Sequence, residues 1–550
     1  MRRRVITGAV VTATGLAFLT AVPGSATAEP GNAVDYTVVA ADGASAAEAT
    51  AAIKAAGGTI VTGNDAVGVY RVTSTDTAFS AKAVKSGTLI GASERKAIGK
   101  APNGLEKIEK TGHSAKGSSN KGVKLDPLDD KLWGLKMVRA DKARKIESGD
   151  RGVTVGILDT GLDASNPDLA PHFSSRLSRN FAPDMTDVDG ACEVASCVDP
   201  IGTDDNGHGT HVAGTIGAAS NGVGVSGIAP DVTLVELKGG QDSGYFFLDP
   251  VVNALTHAAD SGLDVVNMSF YVDPWLYNCT ANPADSAEDQ AEQRAIIAAM
   301  KRALNYAHRK GVTLVGALGN NHEDLGKPRT DISSPDYGGD PYDRPIDNSS
   351  CWDLPVEGPH VIGVSSVGPS GKKSDFSNYG LEQISVAAPG GYARDFFGTP
   401  AYNTPGNRIL SSYPLKVLVE EGLVDAEGNI LPAGEGLVFK DCTQGGKCGY
   451  YTYLQGTSMA APHAAGVAAL IVSRYGYPDF QRGGKTMAPK LVEAQLYRTA
   501  AEQACPEPRL VSYANEGRPA EFDALCEGGE NFNGFYGYGI VDAYAAVGGR

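Results

Sequence analysis

The strongest candidate for chemistry is a serine at the start of a predicted helix. Ser458 lies in Gly456-Thr-Ser-Met-Ala-Ala-Pro462, just before an apolar helix predicted to run through Ile471. At the N-terminus of a helix, backbone N–H groups lack partners and the helix dipole is positive. An oxyanion formed beside Ser458 is stabilised there, so the motif indicates a nucleophile.

An aspartate and a histidine upstream supply what a serine lacks. The apolar run Val153-Thr-Val-Gly-Ile-Leu158 predicts a buried parallel strand that ends at Asp159. His208 follows a glycine at the start of a predicted helix of small residues. A serine hydroxyl needs an imidazole to accept its proton and a carboxylate to orient that imidazole. Asp159, His208 and Ser458 therefore predict acyl transfer by a catalytic triad.

Each motif has another interpretation when it is taken alone. Asp159-Thr-Gly161 is also typical of aspartic proteases, but these need a second such carboxylate, and the sequence has none in a similar apolar setting. His208 and His211 have the spacing of two metal ligands, but no glutamate lies between them as in metalloproteases. We interpret His211 as a packing histidine. A serine like Ser458 often only caps a helix, so the prediction rests on the motifs together.

Alternating strands and helices must position these residues. Predicted strands cover 232–237, 265–269, 312–316 and 360–365, with helices over 251–261 and 287–310. This alternation predicts an α/β fold with a doubly wound parallel sheet. Ligands of such sheets bind beyond the carboxyl ends of the strands, where Asp159, Ser269 and Asn320 fall.

Together, the motifs resemble the signatures of the subtilisin-like serine proteases, the subtilases, whose triad has the same order along the chain. The resemblance implies that Asp159 is the orienting acid, His208 the general base and Ser458 the nucleophile. The segment 315–321 is similar to the family's oxyanion-hole segment, so Asn320 is expected to donate its side-chain amide. It also implies polypeptide substrates and no cofactor for the chemistry.

The same resemblance indicates where substrate binds. Ser269-Phe-Tyr271 stands where many family members have Ser-Leu-Gly, and we expect the bulk of Phe270 and Tyr271 to narrow or reshape the primary pocket. By a looser match, the backbone edge that pairs with extended substrate is 239–244. The predicted substrate-binding residues are Ser269, Phe270, Gly319, Gly240 and Gly244.

The N-terminus predicts export. Residues 1–28 have a basic start, an apolar stretch over 5–22 and the small-residue cleavage motif Ala26-Thr-Ala28, as in a signal peptide. A retained membrane anchor is the alternative, and the three arginines at 2–4 leave a twin-arginine route open. We expect a secreted, extracellular protein with no membrane association after processing.

Three further regions follow the signal peptide. Residues 29–99 contain a β-α-β-β-α-β pattern, which resembles the small α+β propeptide of subtilases and implies an intramolecular inhibitor and folding assistant. Residues 100–125 are rich in Lys, Ser and Gly and predict a linker. Residues 126–550 are predicted to form the subtilisin-like catalytic domain. Within it, we interpret the insert 414–450 as a surface excursion, with a rim over the cleft as the alternative.

Composition narrows the function classes. The formal net charge is −16 and no basic stripe appears, which argues against nucleic-acid binding. Eight cysteines in an exported chain indicate disulfides and not metal ligands, although the sequence leaves their connectivity open. The pairs that we expect are Cys192 with Cys197, Cys442 with Cys448, Cys505 with Cys526, and Cys279 with Cys351.

Calcium is an expectation from the family alone. Asp199, Asp204 and Asp205 precede His208, but acidic loops are most often hydrated and no EF-hand spacing occurs. We predict no metal in the chemistry and leave a structural calcium ion open.

The sequence as a whole predicts a monomeric, secreted serine endopeptidase, made as an autoinhibited zymogen, that works through an acyl-enzyme. Two alternatives stay open. One is an esterase or peptidyl-transferring enzyme on the same triad, and the other is a catalytically silent binding protein of the same fold.

Overall fold

The structure is a computed structural model that describes residues 33–94, 126–327, 329–480 and 483–550. The predicted signal peptide and linker lie outside the described residues, as does the end of the predicted propeptide. Within the described ranges, no helix combines the length and the apolar character that crossing a membrane requires.

Residues 33–94 form a small domain. Its elements are β1 (Val34–Ala40), α1 (Ala46–Ala55), β2 (Thr59–Asn64), β3 (Val69–Ser74), α2 (Phe79–Lys85) and β4 (Leu89–Glu94). The strands form an antiparallel sheet in the order β2-β3-β1-β4. Both helices pack on it, with Val38, Ile53 and Phe79 fully buried between. The predicted β-α-β-β-α-β domain is confirmed.

The large domain follows from residue 126. Its elements in chain order are α3 (Trp133–Met137), α4 (Ala140–Ala143), β5 (Thr154–Asp159), β6 (Arg179–Asn180), α5 (His208–Gly217), β7 (Thr233–Lys238), α6 (Leu248–Ser261), β8 (Val265–Met268), β9 (Asn278–Cys279), α7 (Ala287–Arg309), β10 (Thr313–Ala317), β11 (Arg329–Asp331), β12 (Arg344–Ile346), β13 (Cys351–Trp352), β14 (Val361–Val367), β15 (Val386–Pro389), β16 (Ile409–Tyr413), α8 (Leu415–Glu420), β17 (Val438–Cys442), β18 (Cys448–Leu454), α9 (Thr457–Tyr475), β19 (Tyr477–Pro478), β20 (Lys485–Thr486), α10 (Pro489–Thr499), β21 (Leu510–Val511), β22 (Ala524–Leu525) and α11 (Ala543–Ala546).

Seven of these strands form one parallel sheet in the order β15-β14-β10-β8-β5-β7-β6. Its residues alternate between two apolar layers: Val265 packs in the layer with α5 and α9, and Val266 in the layer with α6 and α7. A sheet buried on both faces needs apolar side chains on both, which explains the nearly continuous apolar runs in the sequence. The predicted doubly wound parallel sheet is confirmed.

The register of the sheet brings distant segments together. In β5 and β8, Leu158 pairs with Met268, and β8 pairs in turn with β10. The residues that follow these strands, Asp159, Ser269 and the segment 318–320, therefore lie at neighbouring carboxyl ends of the sheet.

The small domain docks on α6 and α7. Val39 and Val69 share an apolar cluster with residues of both helices. The amide of Asn64 donates to Asn253 Oδ1 (2.9 Å) and to Thr256 Oγ1 (2.8 Å). The two domains thus bury a common apolar surface with polar contacts beside it.

Four disulfides join the pairs expected from the sequence: Cys192–Cys197, Cys279–Cys351, Cys442–Cys448 and Cys505–Cys526. The insert 414–450 contains α8 and β17 and leads into β18, which pairs between β16 and β17. Residues of the insert, Val417, Leu418 and Val438, pack with Tyr413 in a separate apolar cluster. The insert is therefore an ordered layer with its own small core.

Candidate active site

A histidine and a buried aspartate form the first part of the site. His208 Nδ1 lies 2.7 Å from Asp159 Oδ1, and the aspartate side chain is fully buried while 22% of the histidine side chain is exposed. The backbone N–H of Thr160 also donates to Asp159 Oδ1 (2.9 Å). The carboxylate fixes the ring with Nδ1 toward the protein, which leaves Nε2 for a reacting group.

A second buried aspartate holds the start of α5, which carries His208. Asp204 Oδ1 accepts from the N–H of Gly207 (2.9 Å), and its Oδ2 accepts from the N–H of Thr210 (2.9 Å). The hydroxyl of Thr160 bridges Asp204 Oδ1 and the N–H of Gly209, each at 3.0 Å. The sequence indicated Asp204 only as one of three acidic residues near His208, in the context of calcium. In the structure it satisfies the free N–H groups at the N-terminus of the helix.

The two histidines of α5 have opposite electrostatic environments. Burial lowers the pKa of His208, but the charge of Asp159 and the hydrogen bond to it outweigh burial, and the net pKa is raised above 6.5. Burial lowers the pKa of His211 to about 3. The neutral His211 ring is fully buried and lies 3.0 Å from the backbone oxygen of Ile409, so it packs in the interior.

The serine is held at the end of the neighbouring strand. The Ser458 hydroxyl donates to the backbone oxygen of Ser269 (3.2 Å), and the Ser269 hydroxyl donates to the backbone oxygen of Ser458 (3.1 Å). Because β5 and β8 are adjacent, about 4.8 Å apart, this places the serine beside the strand end that carries Asp159. Among the described residues, Ser458 and His208 share no hydrogen bond. In structures without substrate such a bond is often absent.

Two hydrogen-bond donors lie beside the serine. Asn320 Oδ1 accepts from the N–H (2.9 Å) and the hydroxyl (3.0 Å) of Thr457, which turns the amide Nδ2 away from Thr457. Nδ2 lies next to Gly456, 3.3 Å from the position of a Cβ built on that glycine. Within the described part of the chain, neither this Nδ2 nor the N–H of Ser458 donates a hydrogen bond. Both are therefore free to bind an oxyanion.

The predicted substrate-binding residues surround this point. Ser269 contacts Ser458 directly, and the N–H of Gly319 donates to the hydroxyl of Thr457 (3.0 Å). Gly240 donates its N–H to the backbone oxygen of Asp159 (3.1 Å). The backbone edge 239–244 therefore starts at the triad.

Gly244 closes the same backbone edge on the side of the histidine. A Cβ built on Gly244 would lie 3.5 Å from Nδ2 of Asn206, two residues before His208. Asn206 Nδ2 in turn donates to the backbone oxygen of Asp242 (2.9 Å). The edge is thus anchored at both ends to segments of the triad.

Phe270 and Tyr271 have different surroundings. The Phe270 ring is half-buried and stacks on Phe246, with centroids 4.0 Å apart and planes 4° apart. The hydroxyl of Tyr271 donates to Asp336 Oδ2 (2.6 Å), and its ring packs against an interior cluster. Of the two bulky side chains, Phe270 thus forms a stacked aromatic pair with Phe246, and Tyr271 packs toward the interior. Phe246 was not predicted, because only the tertiary contact with Phe270 marks it.

Acidic side chains lie near the loop that precedes His208. In the part of the chain that the structure describes, two sets of three acidic residues have ligand atoms within 4.8 Å of one another. One set is Asp184, Glu193 and Asp199, and the other is Glu193, Asp205 and Asp242. The Lys238 ammonium lies beside them, 2.5 Å from Asp242 Oδ1 and 3.4 Å from Asp199 Oδ2. A buried lysine therefore already balances part of the charge of these acids.

Known proteins that are similar to this chain are serine proteases. The sequence profile of the subtilase family (peptidase S8) matches residues 150–539. Subtilisin DY of Bacillus licheniformis is 28% identical over 343 residues, which cover 62% of this chain and 85% of that protein. The major intracellular serine protease of Bacillus subtilis is 29% identical over 376 residues, 68% of this chain and 82% of that protein.

A solved structure with a similar fold covers nearly the whole chain. The epidermin leader peptide processing serine protease of Staphylococcus aureus aligns with a TM-score of 0.61 and 19% identity over 94% of this chain and 98% of that one. Fervidolysin of Fervidobacterium pennivorans aligns with a TM-score of 0.54 and 23% identity, over 94% of this chain and 61% of that one. At these identities the likeness supports the fold alone.

Proposed function

The chain belongs to the subtilase family of serine proteases, and within that family we propose that it is a secreted endopeptidase that cleaves peptide bonds through an acyl-enzyme. One observation carries the proposal. His208 is bonded to Asp159 at the end of β5, and Ser458 is bonded to Ser269 at the end of the neighbouring strand β8, with the free donors of Ser458 and Asn320 beside them.

The proposed reaction begins when the Ser458 hydroxyl turns from the Ser269 carbonyl to Nε2 of His208. His208 accepts the proton as Ser458 Oγ attacks the carbonyl carbon of the peptide. Asp159 stabilises the imidazolium that forms. The oxyanion accepts hydrogen bonds from the N–H of Ser458 and from Nδ2 of Asn320.

Collapse of this intermediate breaks the C–N bond. His208 donates its proton to the departing amine, and the acyl group stays on Ser458 Oγ. A water molecule then attacks the acyl-enzyme, with His208 again accepting a proton. This chemistry uses groups of the protein and a water molecule and requires no cofactor, so a calcium ion at the acidic groups near His208 would have a structural role.

We assign the small domain as an intramolecular inhibitor and folding assistant. Its shared apolar cluster with α6 and α7 supports this role, because these helices lead from the substrate edge at 239–244 and into β8 and β10. A parallel sheet with long-range pairing folds slowly, and a template docked on two of its helices favours assembly. We therefore propose synthesis as an autoinhibited zymogen.

Four disulfides and the predicted signal peptide support secretion. The family relatives include an intracellular protease, so the extracellular location is a proposal from the sequence of this chain. We propose a monomer that acts on polypeptides and binds neither nucleic acid nor membrane after processing.

A serine-directed covalent reagent tests the mechanism. We expect a fluorophosphonate to label Ser458 in the processed, folded protein, as read by peptide mass spectrometry, and to abolish hydrolysis of a mixed peptide pool. An unlabelled Ser458 in folded protein would overturn the mechanism. Faster ester hydrolysis or ligation than peptide hydrolysis would instead favour an esterase or peptidyl-transferring enzyme, and binding of peptides without turnover would favour a silent binding protein.

A further inference from the structure

One buried asparagine, Asn378, forms hydrogen bonds with the loop on both sides of Asn320. The side chain of Asn378 is fully buried, and its Nδ2 donates to the backbone oxygen of Leu318 (3.0 Å). Its Oδ1 accepts from the N–H groups of Asn321 and Glu323, both at 3.0 Å. A single side chain thus ties the backbone on both sides of Asn320.

The backbone of Asn378 adds a further contact on the same loop. Its N–H donates to the backbone oxygen of Gly319 (2.9 Å). Gly319 has a φ of 100°, and a Cβ there would lie 2.4 Å from Nδ2 of Asn378. His322 also has a left-handed φ, 54°. Glycine adopts such a φ without strain, and the close approach of Asn378 leaves no room for a side chain at Gly319. The conformation of His322 is held by its own contacts, which include the hydrogen bond from its N–H to the backbone oxygen of Phe376 (2.8 Å).

We propose that Asn378 is a positioning residue for the reaction, which holds Asn320 so that its amide meets the oxyanion; this rests on the proposed function. Thr457 fixes the side chain of Asn320 through Oδ1, while Asn378 fixes the backbone from which that side chain projects. Both constraints are needed, because a shift of about 1 Å in a catalytic group lowers rates by roughly a hundredfold.

A buried lysine stabilises the turn that precedes Asn378. Lys373 Nζ donates to the backbone oxygens of Ser377 (2.7 Å) and Ser374 (2.9 Å). Its side chain is almost completely buried and lies over the ring of Tyr379, 5.1 Å from the centroid. The turn that delivers Asn378 is therefore rigid, as a positioning element must be.

The test replaces Asn378 by alanine and by serine, alone and together with Asn320→Ala. We expect Asn378→Ala to lower kcat for a peptide substrate roughly 10- to 100-fold, with KM changed less than about threefold, and Asn378→Ser to lie between it and the wild type. In the Asn320→Ala background, where no amide remains to be positioned, Asn378→Ala is expected to lower kcat further by less than about threefold.

Asn282→Ala serves as the matched control. Asn282 is also buried, donates to the backbone oxygen of Pro345 (2.8 Å) and accepts from the N–H of Ala284 (3.0 Å), outside the site. We expect it to leave kcat within about twofold of the wild type while it lowers the melting temperature. Melting temperatures are measured in a Ser458→Ala background, which removes self-digestion.

The outcomes separate the proposals. Equal losses from Asn378→Ala with and without Asn320 would overturn the positioning role, and so would an unchanged kcat. Failure of both Asn378 variants to fold, while Asn282→Ala folds, would show a purely structural residue and also overturn it. If peptide hydrolysis does not depend on Ser458, the proposed function fails instead.

Discussion

The two halves of the site differ in how far they are assembled. In the acid–base half, His208 is already joined to Asp159 at 2.7 Å. In the nucleophile half, Ser458 is bonded to the Ser269 carbonyl and Asn320 to Thr457, and within the described residues neither side chain is hydrogen-bonded to the acid–base half. The site therefore holds the hydrogen-bonded pair of His208 and Asp159 in place and leaves the Ser458 hydroxyl to turn.

Burial explains the difference. A buried carboxylate without hydrogen-bond partners is strongly destabilising, so Asp159 must be bonded whenever the protein is folded. A hydroxyl rotates freely between acceptors, so Ser458 exchanges the carbonyl of Ser269 for His208 at small free-energy cost. The comparison predicts that changes in the nucleophile half lower kcat. Changes in the acid–base half should alter the pH dependence as well as kcat.

Removal of the nucleophile tests the comparison with the largest effect. Ser458→Ala should lower kcat by about 10⁶-fold, the size seen for the serine of subtilisin, because no acyl-enzyme forms. The His208–Asp159 pair does not depend on this hydroxyl, so its imidazole proton signal in NMR should persist.

Ser473→Ala is the control for this change. Ser473 lies in the same helix α9 and is fully buried, and its hydroxyl donates to the backbone oxygen of Ala469 (2.8 Å). We expect its kcat to match the wild type. Residual hydrolysis by Ser458→Ala above about 1% would contradict the assigned nucleophile.

Asp159→Asn should have the next largest effect. The amide keeps the shape of the carboxylate but favours the wrong tautomer of His208 and does not stabilise the imidazolium, so kcat should fall by about 10⁴-fold. Steady-state kinetics on one peptide substrate measure it. A loss confined to KM would show that Asp159 acts in substrate binding and not on the histidine.

Two buried threonines compare the halves directly. The Thr457 hydroxyl bridges Asn320 and Gly319, and the Thr160 hydroxyl bridges Asp204 and Gly209. Thr457→Val should lower kcat about tenfold because the amide of Asn320 loses one of the two hydrogen bonds that orient it. Thr160→Val should change kcat less than about threefold.

Both threonine variants should lower the free energy of unfolding by about 1–3 kcal/mol, since each leaves buried polar groups unpaired. Denaturant unfolding in a Ser458→Ala background measures this. Equal effects of the two variants on kcat would remove the proposed difference between the halves.

The pH profile gives the smallest effect. His208 must be neutral to accept a proton, and its pKa is raised above 6.5 by Asp159, so kcat/KM should rise with pH with a midpoint above 6.5. Asp159→Asn removes the main group that raises the pKa of His208. Burial, which lowers this pKa, is then opposed only by the weaker effect of Asp204, so the midpoint should move down. A profile that falls with rising pH over this range would contradict His208 as the base.

Part of the site can be recognised from short sequence motifs. Asp159 ends an apolar strand, and Asn320 lies three residues after another. His208 and Ser458 each lie in the first two residues of a helix that a glycine precedes. Each signal depends on a few adjacent residues and on strand or helix periodicity, so sequence reasoning locates it. The disulfide pairs between near neighbours in sequence follow for the same reason.

Other residues carry no local signal. Phe246 is recognised as a site residue only from its stacking on Phe270. Asp204 is recognised only from the hydrogen bonds that it accepts from the start of α5. Asn378 bonds to a loop 55 to 60 residues away in sequence. No periodicity reports such contacts, because they form only once the strands have paired.

The sequence by itself therefore determined the alternating strands and helices, the types of the reacting residues and their order along the chain. Local backbone preferences and burial patterns act over neighbouring residues, so these features can be predicted from the sequence. The tertiary structure alone decided which acceptor the Ser458 hydroxyl uses, which side chains hold Asn320 in place, and where the bulk of Phe270 and Tyr271 lies. These depend on the register of β5, β8 and β10, because strand pairing sets which distant side chains meet.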